Sequence, residues 1–143
     1  MDWDAALEGA RFGLLLRVKP DKEVWYIKEG VPEQRYSGLL TFKRTGNPSE
    51  SELAILGPGG WPLETTRFAA VDPAKQYRLQ FSAVGDQLTL QLFDLAQPEV
   101  VIQTCAGADD SVSAGMVAFQ GTLSADGKYD VTIDRFIVNG STR

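Results

Sequence analysis

The chain has 143 residues, of which 43% are hydrophobic and 23% are charged, a length and composition typical of one globular domain rather than of a disordered, collagen-like or coiled-coil chain. Its 19 acidic and 14 basic side chains give a net charge of −5, which argues against nucleic acid as a partner. There is no histidine and one cysteine, Cys105, so the sequence excludes Ser-His and Cys-His catalytic pairs, His-containing zinc sites and an intrachain disulfide.

The first ten residues, MDWDAALEGA, are acidic, whereas a secretory signal is basic and then apolar. No apolar run approaches the roughly 20 residues that a membrane-spanning helix requires. We therefore expect no export signal in this chain and no membrane span. A helical turn is predicted only over residues 4–10.

From residue 11 onwards the sequence alternates between apolar and polar residues, which is typical of half-buried strands. The alternation is clear in residues 11–18 and 36–42. Shorter candidate strands, separated by glycine- and proline-containing turns, are residues 24–28, 52–56, 66–71, 99–104, 114–120 and 128–138.

The strongest local signal lies in residues 76–93. Tyr77, Leu79 and Phe81 share one strand face, and the leucines of residues 88–92 alternate in the same way after Gly85-Asp86. A glycine at this position allows the positive φ of a tight turn. The pattern predicts an antiparallel hairpin of strands 76–83 and 86–93.

Many short strands without an amphipathic helix predict an all-β fold. We expect a two-sheet antiparallel β-sandwich that forms one domain over residues 1–143. The sequence contains no internal repeat and no low-complexity segment.

Four segments together resemble the concanavalin A-like jelly rolls: residues 13–17 (GLLLR), 76–93, 113–119 (SAGMVAF) and 131–138 (VTIDRFIV). This superfamily includes laminin-G-like modules, bacterial sugar-binding modules and the related domain of 3-keto-disaccharide hydrolases. The resemblance implies a jelly-roll sandwich, a carbohydrate ligand and an extracellular or periplasmic location. Because ten residues precede Arg11, the family's first strand has no counterpart, which implies a sheet edge open to another domain or to a second copy of the chain.

Aromatic residues are the first candidates for a sugar site, since sugars stack their C–H faces on rings. Trp61 lies in the irregular segment Gly57–Pro62, and Trp25 and Tyr26 are adjacent, so that one of their two rings would face outwards from a strand. The alternative is that these rings pack loops against the sandwich.

Polar side chains on strand faces are the second candidates. If the jelly-roll interpretation holds, a shared sheet face would carry guanidinium and amide donors for sugar hydroxyls or a carboxylate, supplied by Arg17, Arg78, Gln80, Thr89 and Gln91. The alternative is an ordinary solvated sheet face.

Carboxylates are the remaining candidates for acid–base or metal chemistry. Glu50 and Glu52 have the spacing of paired carboxylates but follow a loop-forming segment, and Asp94 and Glu99 have the pattern of turn residues. An oxygen-ligated calcium site is the one metal site left open, with Asp109 and Asp110 as ligands, or Asp134.

These features predict a non-catalytic carbohydrate-binding or adhesion-type module without a cofactor other than calcium. One alternative is a glycoside or 3-keto-glycoside hydrolase domain. Another is a structural domain that docks a partner, or a second copy of itself, through an open sheet edge.

Overall fold

The computed structural model describes residues 11–18, 35–44, 50–72, 74–112 and 115–122. The helical turn expected at 4–10 and the strands expected at 24–28 and 128–138 lie outside these residues, as do Trp25, Tyr26 and Asp134. Within them, no helix is long and apolar enough to cross a membrane.

The described residues form eight strands, and their regular helical structure is limited to one 3₁₀ turn at Pro58–Gly60. The strands are β1 (Arg11–Val18), β2 (Tyr36–Arg44), β3 (Glu50–Leu56), β4 (Pro62–Ala69), β5 (Tyr77–Val84), β6 (Gln87–Asp94), β7 (Val101–Ala108) and β8 (Met116–Thr122).

The strands form two antiparallel sheets. One has five strands in the order β4-β3-β2-β1-β8, and the other has three in the order β5-β6-β7. The predicted all-β, two-sheet antiparallel sandwich is therefore confirmed.

The hairpin predicted at residues 76–93 is also confirmed. β5 and β6 pair in continuous register from Tyr77 opposite Asp94 to Val84 opposite Gln87. Gly85 has φ 60°, the positive value that a two-residue hairpin turn needs and that glycine adopts without a steric penalty.

Several other strand boundaries differ from the prediction. β3 begins at Glu50 rather than at residue 52, and β4 begins at Pro62 rather than at residue 66. β7 continues to Ala108 although its last residues are alanine and glycine, which have low intrinsic strand propensity. Pairing with β6 as far as Ala108 opposite Gln87 holds this end extended.

The core lies between the two sheets, where the alternating apolar residues predicted to face inwards meet. Leu88, Leu90 and Leu92 of β6 are fully buried and belong to one cluster with Leu53 and Ile55 of β3. Burial of side chains of this size contributes about 1.5–3 kcal/mol each.

Gly38 of β2 sets the closest approach of the two sheets. A Cβ placed on this residue would lie 2.8 Å from Cδ1 of Leu90 and 2.9 Å from the ring of Phe81. The second sheet therefore packs directly on the β2 backbone at this point.

The opposite face of the five-stranded sheet is also buried at its centre. Leu15, Leu39 and Ala54 alternate with core-facing residues and so point away from the second sheet, yet each is at most 6% exposed. Strands β1, β2 and β3 are therefore apolar on both faces, which is the pattern of a strand with cover on each side.

Candidate functional site

Several loops meet at one end of the sandwich, which we call the loop end. β1 finishes here, and the Arg17 guanidinium donates to the carbonyl of Gly85 in the β5–β6 turn and to that of Val112 after β7, at 2.9 and 3.0 Å. The β3–β4 loop reaches the same end, because Leu56 pairs with Ser37 at the start of β2.

The β3–β4 loop has a defined backbone conformation. Gly57 donates its N–H to the carbonyl of Trp61 at 2.8 Å and accepts from Gly60 at 3.0 Å. Gly59 and Gly60 have φ values of 77° and 80°, which other residues adopt at a cost. The glycines of this segment therefore permit the tight conformation, and the two backbone hydrogen bonds of Gly57 close it.

Trp61 is displayed by this loop with 76% of its surface exposed. A Cβ placed on Gly59 would lie 3.5 Å from Cδ1 of Trp61, so one part of the indole rests beside the loop backbone. The expectation that Trp61 lies in an exposed loop agrees with this placement. An exposed tryptophan on a constrained loop can offer a flat apolar surface to a ligand at little entropic cost.

Arg17 does not share a sheet face with the other predicted polar residues, so that part of the prediction is wrong. β1 belongs to the five-stranded sheet, and its pairing with β8 shifts register between Leu15 and Val18. At this irregularity Arg17 adopts φ 54°. A bulge redirects side chains, and here Arg17 turns towards the loop end.

Tyr36 is the centre of a polar network that the sequence did not indicate. Its hydroxyl, on a fully buried side chain, donates to Oδ1 of Asp109 at 2.6 Å and accepts from the N–H of Val112 at 3.1 Å. The Arg17 guanidinium lies 6.0 Å from the centre of the Tyr36 ring. Because the partner lies 73 positions further along the chain, no local pattern could have identified it.

The pKa values of Asp109 and Tyr36 are shifted in opposite directions. The Tyr36 hydroxyl and, next in effect, Ser111 hold the pKa of the Asp109 carboxyl below its usual value. Burial, reinforced by the hydrogen bond to Asp109, raises the pKa of the Tyr36 hydroxyl. The pair is therefore held as a neutral phenol donating to a carboxylate.

The two carboxylates predicted as calcium ligands have different surroundings. Oδ1 of Asp109 accepts from both Tyr36 and the N–H of Ser111, the latter at 2.8 Å, which is an Asx turn, whereas Asp110 is exposed. Over the described part of the chain, no three acidic, histidine or cysteine side chains are grouped to hold a metal ion. This geometry fits a turn better than a calcium site.

The other predicted polar residues do share the outer face of the three-stranded sheet. Gln80 pairs with Gln91, and Arg78 pairs with Phe93, while Thr89 follows the same alternation as Gln91. The Gln91 amide donates to Oγ1 of Thr104 at 3.4 Å.

Arg78 has a packing role on this face. Its Cζ lies 4.1 Å from the centre of the Phe93 ring, a cation–π distance. It also donates to the carbonyl of Pro98 at 3.4 Å. The guanidinium covers Phe93, which is 6% exposed although it points away from the core, so Arg78 has less freedom to meet a ligand than the neighbouring glutamines.

The paired glutamates both lie in a strand, whereas the predicted strand began at Glu52 and left Glu50 in the preceding loop. Glu50 and Glu52 both belong to β3, and their spacing places them on one face. Glu52 forms an ion pair with Arg67 of β4 at 3.4 Å.

Asp94 has the expected turn chemistry. Its Oδ1 accepts from the N–H of Ala96 at 2.9 Å, and its Oδ2 lies 3.4 Å from Nζ of Lys75. Glu52 and Asp94 are therefore each paired with a cation.

Comparison with known proteins adds no family to this geometry. The chain matches no protein-family model, no curated protein sequence and no solved structure. The function must therefore be inferred from the described residues.

Proposed function

We propose that the protein is a non-catalytic carbohydrate-binding or adhesion-type module that contacts its ligand with Trp61. The observation that carries this proposal is the 76% exposure of a tryptophan on a loop whose ends are joined by a 2.8 Å backbone hydrogen bond. Large aromatic surface is normally buried, so its display on a constrained loop favours a binding role.

The described charged side chains that are fully exposed at the loop end are acidic, whereas Arg17 and Arg35 at this end are only partly exposed, which favours a neutral saccharide. Glu64 of β4, Asp86 of the hairpin turn and Asp110 lie towards this end and are exposed. Together with the net charge of −5, they would repel a sulfated or uronic acid polymer. Their oxygens can accept hydrogen bonds from sugar hydroxyls, while the indole provides the stacking surface.

A non-catalytic role is supported by the pairing of three described carboxylates. Glu52 and Asp94 form ion pairs, and Asp109 accepts two hydrogen bonds. We therefore favour binding over glycoside hydrolysis, which usually needs a carboxyl pair of which one member has a raised pKa.

We also propose that the sandwich is a jelly roll of the concanavalin A-like type. Three of the segments that carry the resemblance coincide with described elements, since residues 13–17 lie in β1, residues 76–93 span the β5–β6 hairpin, and residues 116–119 lie in β8. β1 and β8 are neighbours in one sheet.

Affinity gel electrophoresis and a glycan array on the wild type and on Trp61→Ala test the binding proposal. We expect the wild type to bind a neutral polysaccharide. The Trp61→Ala variant should bind at least about 30-fold more weakly, the equivalent of roughly 2 kcal/mol for an aromatic residue at the centre of an interface.

Val100→Ala provides a matched control, because Val100 is also an exposed apolar residue but lies in the β6–β7 connection at the opposite end of the sandwich. This variant should bind like the wild type. Absence of binding to every glycan tested, or equal weakening by both substitutions, would refute the proposal.

A further inference from the structure

The outer edge of strand β7 has the character of a pairing surface. β7 is the last strand of the three-stranded sheet, and its described strand partner is β6. Val101 and Ile102 at its start are each 40% exposed, and Val100, which immediately precedes the strand, is 53% exposed. Consecutive exposed β-branched residues at a sheet edge favour addition of another strand.

Two of the other described edge strands carry charges or a proline that normally prevent such pairing, whereas β8, at the second edge of the five-stranded sheet, has the uncharged sequence MVAFQGT. β4, at the edge of the five-stranded sheet, begins with Pro62 and contains exposed Glu64 and Arg67. β5, at the far edge of the small sheet, contains exposed Arg78. β7 has the sequence VIQTCAGA, with neither a charged residue nor a proline.

The regular pairing and small side chains of β7 also permit another strand to approach it closely. Its pairing with β6 is irregular between Val101 and Gln103 and regular from Gln103 to Ala108. Thr104, Ala106 and Ala108 of the regular part are exposed on the outer face, where side chains of this size leave room for a neighbouring strand.

We propose that β7 pairs antiparallel with β7 of a second copy of this chain, which joins the two three-stranded sheets into one sheet of six strands. Antiparallel pairing of a strand with itself about a two-fold axis is self-complementary. Because β7 is uncharged, the strand itself brings no like charges together where the copies meet. The pairing also covers the apolar start of each β7.

This inference is independent of the sugar site, because the Trp61 loop belongs to the other sheet. Light scattering and sedimentation from micromolar to millimolar concentration test it, with Ala106→Lys as the disrupting variant. Ala106 is exposed at the middle of the regular edge, so a lysine would place two positive charges near the two-fold axis. We expect a dimer for the wild type and at least a tenfold weaker dimer for Ala106→Lys.

Ala69→Lys is the matched control, since Ala69 is an exposed alanine at the end of β4 and the substitution changes the net charge equally. This variant should dimerise like the wild type. A mixture of Ala106→Lys and Ala106→Glu should regain the dimer, because opposite charges then face each other across the axis.

Three results would overturn the proposal: a wild type that stays monomeric throughout the concentration range, a dimer that Ala106→Lys leaves intact, or equal disruption by Ala69→Lys. Regained assembly in the Lys–Glu mixture also excludes misfolding of the variants as the cause of their dissociation. A monomer that binds an unrelated extended peptide along β7 would contradict self-pairing.

Discussion

The hydroxyl of Tyr36 connects the start of β2 to the segment that follows β7. It donates to the Asp109 carboxylate and accepts from the Val112 N–H, and the Tyr36 side chain is fully buried. Removal of the oxygen would leave a buried N–H without this acceptor, which costs more than the loss of an exposed hydrogen bond.

We therefore expect Tyr36→Phe to lower the free energy of unfolding by about 1–3 kcal/mol, as measured by urea denaturation. Tyr77→Phe is the control, because the Tyr77 hydroxyl accepts from the Asp72 N–H at 2.8 Å in an exposed position. Equal effects of the two substitutions would contradict the structural role assigned to the Tyr36 hydroxyl.

Asp109 gives the stability a defined pH dependence. Its pKa in the folded chain is lowered by the Tyr36 and Ser111 donors, so the stabilisation is present above the unfolded pKa of about 3.9 and is lost as pH falls through the folded value. Asp109→Asn should be less stable than the wild type at pH 7, and the difference should shrink in acid. Urea titrations at neutral and acidic pH measure this, and a difference that does not change with pH would contradict it.

The sequence predicted the placement of single residues where that placement depends on their immediate neighbours in the chain. The Gly-Pro-Gly-Gly context placed Trp61 in an exposed loop, as observed. Arg17 could not be placed, because alternation assumes a regular strand and the bulge after Leu15 interrupts it.

At the scale of elements, the β3–β4 loop depends on glycines that allow left-handed backbone. Gly60 has φ 80° and open space around its Cα, so Gly60→Ala would strain the backbone without a clash. The cost is about 1 kcal/mol or more. We expect a lower melting temperature and weaker glycan binding through displacement of Trp61.

Gly107→Ala is the control for this prediction. A Cβ there would make ordinary contacts, 3.7 Å from Leu63 and 3.8 Å from Glu64, and its backbone does not need a positive φ. Calorimetry should show little change for this variant. A Gly60→Ala variant as stable as Gly107→Ala would show that the loop does not require this conformation.

Element by element, the strands with strict alternation were predictable, and β5 and β6 are within one residue of their expected bounds. The start of β4 was not, because Pro62 and the polar residues after it have little apolar alternation. Cross-strand pairing with β3 holds them extended, and such pairing is not encoded locally.

For the whole molecule, the contact at Gly38 couples the two sheets. An added methyl group would lie 2.8 Å from Leu90 and 2.9 Å from Phe81, so it would push the sheets apart. Gly38→Ala should lower the free energy of unfolding by about 1–3 kcal/mol, as overpacked cores do. Far- and near-ultraviolet circular dichroism should still report one coincident transition. An unchanged stability would show that the sheets can shift without cost.

The buried position of Cys105 makes its thiol a natural probe for transient opening of the sandwich. Cys105, the one cysteine in the sequence, belongs to β7 and is 1% exposed. Burial raises the pKa of its thiol. Alkylating reagents attack the thiolate, so they can modify the chain only during moments when the layers part. The rate of alkylation under native conditions therefore counts those openings directly, without any engineered probe.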